Sequence, residues 1–242
     1  MNVLIPIEIV PRELNYKLFL SNMLACKGFN CYLGKKSEIS YLLNKMKDYI
    51  YIDKGYHKNK SEVIYQTVKK NNGIIINLDE EGGIDFKDNS TLLEIRYTED
   101  MIRQVDHIFL WGQYQYQLIK NLIEDKDKVI VTGHPRFELL KKRYHSLYEN
   151  EVKSLISRYS DFILINTNMG WGNNVRGEEF VINNYSSRHP DLLQLINKDK
   201  RKICSIIELI KLLSTSFDKK IIVRPHPEED KEYYRTIFHE YD

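Results

Sequence analysis

Short apolar runs that alternate with stretches of helical periodicity constrain the fold of this chain more than any other feature. The first run spans residues 3–9, with Pro6 inside it, and further runs lie at 31–33, 49–52, 74–78, 106–111 and 128–132. Between them, residues 12–27, 36–47, 61–70, 91–104 and 113–123 carry apolar side chains at helical spacing. In the first of these stretches the apolar positions include Leu14, Leu18, Met23 and Leu24, and Gly28 supplies the stop. Strands alternating with helices of this length predict an α/β fold with a parallel sheet covered on both faces.

After residue 145 the pattern restarts. Residues 150–159 read as a helix, 162–166 as a strand and 169–177 as a polar, Gly-containing loop. A long helix over 192–214 precedes a strand at 221–223, and 229–238 begins another helix. The chain therefore divides into a first Rossmann-like domain over residues 1–145 and the start of a second over 146–242. Two strands leave a sheet with open edges and a half-covered core. The second domain is expected to be incomplete, and the chain to be part of a longer protein.

Composition narrows the partners. A net charge of +2 over 242 residues, with no dense Lys/Arg tract, argues against a nucleic-acid partner. Cys26, Cys31 and Cys204 have no paired spacing, so neither a disulfide framework nor a zinc site is expected, and a reducing cytosol is the simpler setting. The opening Met1-Asn2-Val3-Leu4, with Pro6 and Glu8 close behind, has no signal-peptide core. No apolar stretch approaches the roughly 20 residues of a spanning helix. A cytoplasmic protein is expected, with room for peripheral association at the inner face of the membrane. The 17 tyrosines accompany a Lys-, Asn- and Ile-rich composition and read as bias, not as a stacking platform.

Two polar signals stand directly after apolar strands. Asp79-Glu80-Glu81-Gly82-Gly83 follows the run at 74–78, and Arg224-Pro225-His226-Pro227-Glu228 follows Lys220-Ile221-Ile222-Val223. Ligands of open α/β sheets bind in the crevice outside the carboxyl ends of the strands, so both segments are candidate site segments. Glu80 and Glu81 are the candidate catalytic pair. A sugar hydroxyl attacking an anomeric carbon must lose its proton, and a carboxylate of raised pKa in a closed cleft can take it. The alternative is a solvated acidic turn ended by Gly82-Gly83. Pro225 and Pro227 fix the backbone around His226, so Arg224 and His226 can donate charge-assisted hydrogen bonds to a phosphate, helped by the following helix N-terminus. The alternative there is a strand-ending turn with an exposed His.

Weaker signals surround these two. His134-Pro135-Arg136 follows the sixth strand and reads as the crossing between domains and as cleft lining. Arg12, Glu13 and Lys17 follow the first strand and face either the same crevice or solvent. Asn168, Trp171 and Asn173 lie in the loop after the second domain's first strand, where sugar or phosphate could bind. His189-Pro190 reads as loop. There is no Walker loop, no Gly-x-Gly-x-x-Gly and no His-Glu-x-x-His; no metal site and no cofactor are expected.

Together, Glu80-Glu81-Gly82 and His226-Pro227 resemble the acidic-acidic-Gly and His-Pro motifs of bacterial sialyltransferases, polysialyltransferases and Kdo transferases. Those enzymes have the two-domain GT-B fold and use CMP-activated sugars. A wider set is similar to bacterial surface carbohydrate biosynthesis proteins: Leu4-Ile5-Pro6-Ile7-Glu8, Arg12-Glu13-Leu14, Asp79-Glu80-Glu81-Gly82, Gly133-His134-Pro135-Arg136-Phe137 and Arg224-Pro225-His226-Pro227-Glu228. It covers nearly the whole chain in the expected order. The resemblance implies two Rossmann-like, doubly wound domains and a nucleotide-sugar donor, a CMP-linked nonulosonic acid or Kdo-like sugar. It also implies a glycan or glycolipid acceptor in capsule or lipopolysaccharide synthesis. Glu80 would be the acceptor-activating acid with Glu81 beside it, and His226, with Arg224, Pro227 and Asn168, would hold the donor. Arg12, Glu13, Asp79, Gly82, His134 and Arg136 would line the cleft. The chain departs from this pattern at its end, where the elements completing a donor domain, including a nucleotide-ribose contact, are missing.

Two rival readings fit the same residues. A UDP-sugar 2-epimerase-like enzyme shares the architecture and works in a cleft with His, Arg and carboxylates, but it should prefer a UDP-sugar. A non-catalytic binding or assembly subunit should respond to no nucleotide.

Overall fold

A computed structural model of the chain describes residues 1–81, 90–187 and 189–239. The chain divides into two compact units, Met1–Leu147 and Tyr148–Asp242. The first unit is a six-stranded parallel α/β sheet flanked by helices, a Rossmann-like arrangement. Its elements are β1 (Asn2–Ile7), α1 (Val10–Ala25), β2 (Asn30–Lys35), α2 (Lys36–Lys45), β3 (Tyr49–Asp53), α3 (Ser61–Lys70) and β4 (Ile74–Leu78). There follow α4 (Ser90–Ile95), α5 (Glu99–Gln104), β5 (His107–Leu110), α6 (Gln113–Ile119), β6 (Val129–Val131) and α7 (Pro135–Glu138).

The strand order is β2-β1-β3-β4-β5-β6, with every neighbouring pair parallel. The chain moves one way from β1 to β2 and then returns past β1 to β3. Right-handed crossovers therefore put α1 on one face and α2, α3, α5 and α6 on the other. Packing agrees. Leu43 of α2, Val68 of α3, Met101 of α5 and Ile119 of α6 share one core with Leu4, Tyr51, Ile75 and Ile108, while α7 lies against α1. The order in which strands are added reverses between β1 and β3, so the crevice at their carboxyl ends is where this order favours a ligand. Gly73 sets the entry to β4: a Cβ there would lie 2.6 Å from Val68 Cγ1 and 3.0 Å from the Val68 carbonyl, so a side chain would force α3 away from the sheet.

Two expectations need correction. The helix over 91–104 is interrupted: α4 ends at Ile95, and Thr98 caps α5 by accepting from the Met101 N–H at 3.1 Å. The break frees Arg96 and Tyr97 to turn toward Asp79. The tyrosines are also more than compositional bias. Tyr16, Tyr49, Tyr51, Tyr56, Tyr65 and Tyr97 are among the largest fully buried side chains. Their rings fill the core and several of their hydroxyls reach buried acceptors, which is how a buried phenol avoids an unpaired donor.

The second unit comprises α8 (Glu149–Tyr159), β7 (Phe162–Asn166), α9 (Glu178–Tyr185), α10 (Leu192–Ser216), β8 (Lys220–Arg224) and α11 (Lys231–Phe238). β7 and β8 form a two-stranded parallel sheet in register from Phe162↔Lys220 to Asn166↔Arg224. The helix α9 was not expected from sequence; it seats Val181 against Leu192 and Ile196 of α10. An open groove of about 760 Å³ runs beside β8, lined by Ile221, Val223, Tyr234 and Phe238 among others. Among the described residues, no helix is long and apolar enough to cross a membrane.

Candidate functional site

In the first unit, the segments that follow β1, β3, β4, β5 and β6 converge on Glu80. The turn that presents it is held by Asp79, whose buried carboxylate accepts from Arg96 and from Tyr97 Oη at 2.9 Å. Asp79 Oδ1 also accepts from the Glu81 N–H at 3.0 Å, and Trp111 Nε1 donates to the Asp79 carbonyl at 2.5 Å. The Glu80 N–H is tied to the Lys54 carbonyl at 2.9 Å, after β3. With the turn fixed this way, the two acidic neighbours part company. Glu80 is 2% exposed, whereas the Glu81 side chain is 60% exposed and pairs with Arg12 at 2.8 Å.

Glu80 Oε1 is crowded with donors. Tyr16 Oη donates to it, and Lys17 Nζ lies 3.0 Å away. Lys17 is itself buried, reaching Glu13 Oε2 at 2.7 Å and the Pro6 carbonyl at 2.8 Å. Glu13 also accepts from the Glu8 N–H at 3.0 Å and the Ile9 N–H at 3.2 Å, and it pairs with Lys54 at 3.1 Å. Lys54 in turn pairs with Glu8. This ionic lattice straddles β1 and β3, where the strand order reverses.

The lattice splits the two buried carboxylates. Burial raises Glu13, but the hydrogen bonds from Lys17 and the Glu8 N–H outweigh it and bring its pKa down to about 2. Glu80 goes the other way. Burial, reinforced by the Glu13 charge, pushes it up to about 8, against the pull of Arg136 and Arg12. Two carboxylates with pKa values driven apart are the usual mark of distinct acid–base roles. Asp53, at the end of β3, is also raised, to about 6, by burial that outweighs the Tyr65 hydroxyl donating to it at 2.5 Å.

His134 completes the cluster. It caps α7 with its ring, Nδ1 accepting from the Arg136 N–H at 3.2 Å. The ring lies 4.6 Å from Trp111 and 5.0 Å, edge-on, from Tyr16. Its Nε2 lies 3.7 Å from Glu80 Oε2, too far for a hydrogen bond. Burial, with Arg136 and Lys17 nearby, lowers its pKa to about 3, so the ring is neutral. The Arg136 guanidinium sits over the Trp111 ring at 5.6 Å. Glu80 Oε2 and His134 Nε2 are both buried without a hydrogen-bond partner.

In the second unit, the loops after β7 and β8 are stitched together. Val175 N–H donates to the Glu228 carbonyl at 2.8 Å, Asp230 N–H to the Asn173 carbonyl at 2.9 Å, and Asn173 Nδ2 to the Asp230 carbonyl at 3.0 Å. The hub is Glu229, 1% exposed. Its Oε1 accepts from Thr167 Oγ1 at 2.7 Å, the Met169 N–H at 3.1 Å and the His226 N–H at 3.2 Å, and its Oε2 from Tyr234 Oη at 2.7 Å. His226 is half-buried, its Nδ1 accepting from the Glu228 N–H at 3.3 Å. Arg224, Pro227 and Asn168 are exposed at the same loop end. Glu229→Ala would orphan four donors and is expected to destabilise this unit by about 2–4 kcal/mol; denaturant unfolding measures it, and a loss under about 0.5 kcal/mol, ordinary for a surface change, would show the hub to be dispensable.

The structure thus brings Arg12, Glu13, Asp79, Glu80, Glu81, His134 and Arg136 into one cluster of the first unit, and Asn168, Arg224, His226 and Pro227 to one loop end of the second. Gly82 lies outside the described residues. Sequence reasoning missed Tyr16, Lys54, Arg96, Tyr97 and Trp111 around Glu80, and Glu229 beneath His226. Lys54 and Trp111 each directly follow a strand, so the strand-end rule applied to β3 and β5 would have found them. Nothing local distinguishes Glu229 from Glu228.

Among the described residues, no group of His, Cys, Asp or Glu is arranged to hold a metal ion, and Cys26, Cys31 and Cys204 are free thiols. Fold and site together define a Rossmann-like α/β protein with a buried carboxylate–imidazole cluster at the carboxyl ends of its strands. No protein-family model matches the chain, and no curated protein matches it in sequence.

Proposed function

We propose that this chain is a GT-B-type glycosyltransferase of surface polysaccharide synthesis, transferring a CMP-activated nonulosonic acid or Kdo-like sugar to a glycan or glycolipid acceptor. The observation that carries this reading is Glu80: a carboxylate at the end of β4, buried, with a pKa near 8 and one oxygen unpartnered. A buried group of that kind is suited to taking the proton of an attacking hydroxyl. The ordered motif set supports the donor class, and the buttressed Arg224–His226 turn supports phosphate binding. On this reading the first unit serves the acceptor and the second the nucleotide, with Glu80 as base and His226 as the donor-phosphate contact.

Calorimetry with free nucleotides tests it. CMP is expected to bind more tightly than UMP or UDP, and His226→Ala to weaken CMP binding by about 1.5–3 kcal/mol, the range for hydrogen bonds to charged groups. Equal or stronger binding of UDP would favour an epimerase-like enzyme, and no response to any nucleotide would favour a binding subunit.

A further inference from the structure

The closest approach of Glu80 and His134 is a meeting of two polar atoms that do not bond. Glu80 Oε1 already faces Tyr16 and Lys17, so a proton gained by the carboxylate goes to Oε2. His134 Nδ1 is an acceptor, so the proton of the neutral ring is on Nε2. Oε2 and Nε2 lie 3.7 Å apart, buried, and neither has a partner. Leaving two polar groups unpaired in the interior costs about 1–3 kcal/mol each, and native proteins commonly fill such positions with an ordered oxygen. One oxygen at an ordinary hydrogen-bond distance of about 2.8 Å from each atom satisfies both.

We propose that this gap is the seat of a single oxygen: a water in the resting protein and the attacking hydroxyl of the acceptor during transfer. His134 Nε2–H donates to that oxygen and so directs its O–H toward Glu80 Oε2. In the transfer, the O–H bond breaks and its proton passes to ionised Glu80. The oxygen's lone pair forms the bond to the anomeric carbon, and the bond from that carbon to the nucleotide phosphate breaks, its electron pair leaving with the phosphate. His134 thereby becomes a catalytic residue in the strict sense, touching the reacting atom. The identity of the hydroxyl rests on the glycosyltransferase reading; the existence of the oxygen seat does not.

Two measurements on the full chain separate these claims. A crystal structure without acceptor, at a resolution that orders waters, is expected to show one oxygen within about 3.2 Å of both Glu80 Oε2 and His134 Nε2. A direct bond between the two side chains, or an empty gap, overturns the seat. The second measurement follows hydrolysis of a CMP-linked nonulosonic acid, with water as acceptor. His134→Leu is expected to lower kcat/KM about 10²-fold, the cost of losing one oriented donor at a reacting oxygen, with CMP affinity unchanged. His134→Gln, which keeps an N–H near the position of Nε2, should recover most of that loss. Equal loss in both variants, with CMP still bound, overturns the role of His134. If CMP does not bind and the donor is not hydrolysed, while the bridging oxygen is present, the functional reading fails and the seat stands.

Discussion

If the chain is the proposed glycosyltransferase, Glu80→Gln is expected to lower turnover by roughly 10²–10⁴-fold, the usual contribution of a positioned general base, and to leave CMP binding intact. Gln keeps the size of the side chain and an oxygen for Tyr16 and Lys17, but it has no basic lone pair to take a proton. Glu81→Gln costs less, because that side chain is 60% exposed and its partner is Arg12, 29% exposed. The pH behaviour separates the two further. With its pKa pushed up to about 8, Glu80 is mainly protonated at neutral pH, so on the proposed reading wild-type kcat/KM is expected to rise as pH approaches and passes 8. The residual activity of Glu80→Gln lacks that rise.

Stability follows the opposite sign. Between its ordinary 4.5 and about 8 the folded chain holds a proton on Glu80 that the unfolded chain releases. The resulting contribution is complete below 4.5 and is lost as pH rises through about 8. Glu80→Gln should therefore gain stability over the wild type, on the order of a few kcal/mol for a shift of several units, at pH 9 but not at pH 4. Near-normal turnover in Glu80→Gln removes this residue from the chemistry, and a variant that gains no stability at pH 9 removes the raised pKa.

Lys17→Met destabilises the first unit by about 3–5 kcal/mol at pH 7, the cost of removing one partner from a buried ion pair. Lys17 is 2% exposed and is the buried counter-charge of Glu13 at 2.7 Å, with the Glu80 carboxyl group 3.0 Å away. Methionine fills much of the same volume, so the loss reports charge and hydrogen bonding and not a cavity. Glu13 has a depressed pKa, so its contribution is present above 4.5 and lost as pH falls through about 2. Part of that depression comes from Lys17, so the gap between Lys17→Met and the wild type should narrow from pH 4.5 toward pH 2. Urea unfolding at pH 7 and pH 3 measures both. A loss under 1 kcal/mol at pH 7, or a gap that widens in acid, would mean that Lys17 does not hold the lattice together.

Much of the architecture was legible without coordinates. The strand segments and most helices of both units are written in apolar runs and helical spacing, which are local properties. The strand-end rule then singled out Glu80, His134 and the Arg224–His226 turn, because a parallel sheet gathers the carboxyl ends of its strands on one side whatever their order. Thr98 shows where that reading fails locally: a capping hydroxyl inside a helical pattern breaks α4 from α5 and turns Tyr97 onto Asp79.

The rest depends on groups far apart in sequence. The β2-β1-β3-β4-β5-β6 order makes the ends of β1 and β3 neighbours, and only that lets Lys54 reach Glu8 and Glu13. Asp79, held by Arg96, Tyr97 and Trp111, decides that Glu80 turns inward and Glu81 outward. α7, lying against α1, brings His134 to Glu80 across more than fifty residues of chain. Periodicity records which face of an element avoids water. Which acidic side chain a turn buries, and what meets it there, is set by packing between elements, so it is decided only when the chain has folded.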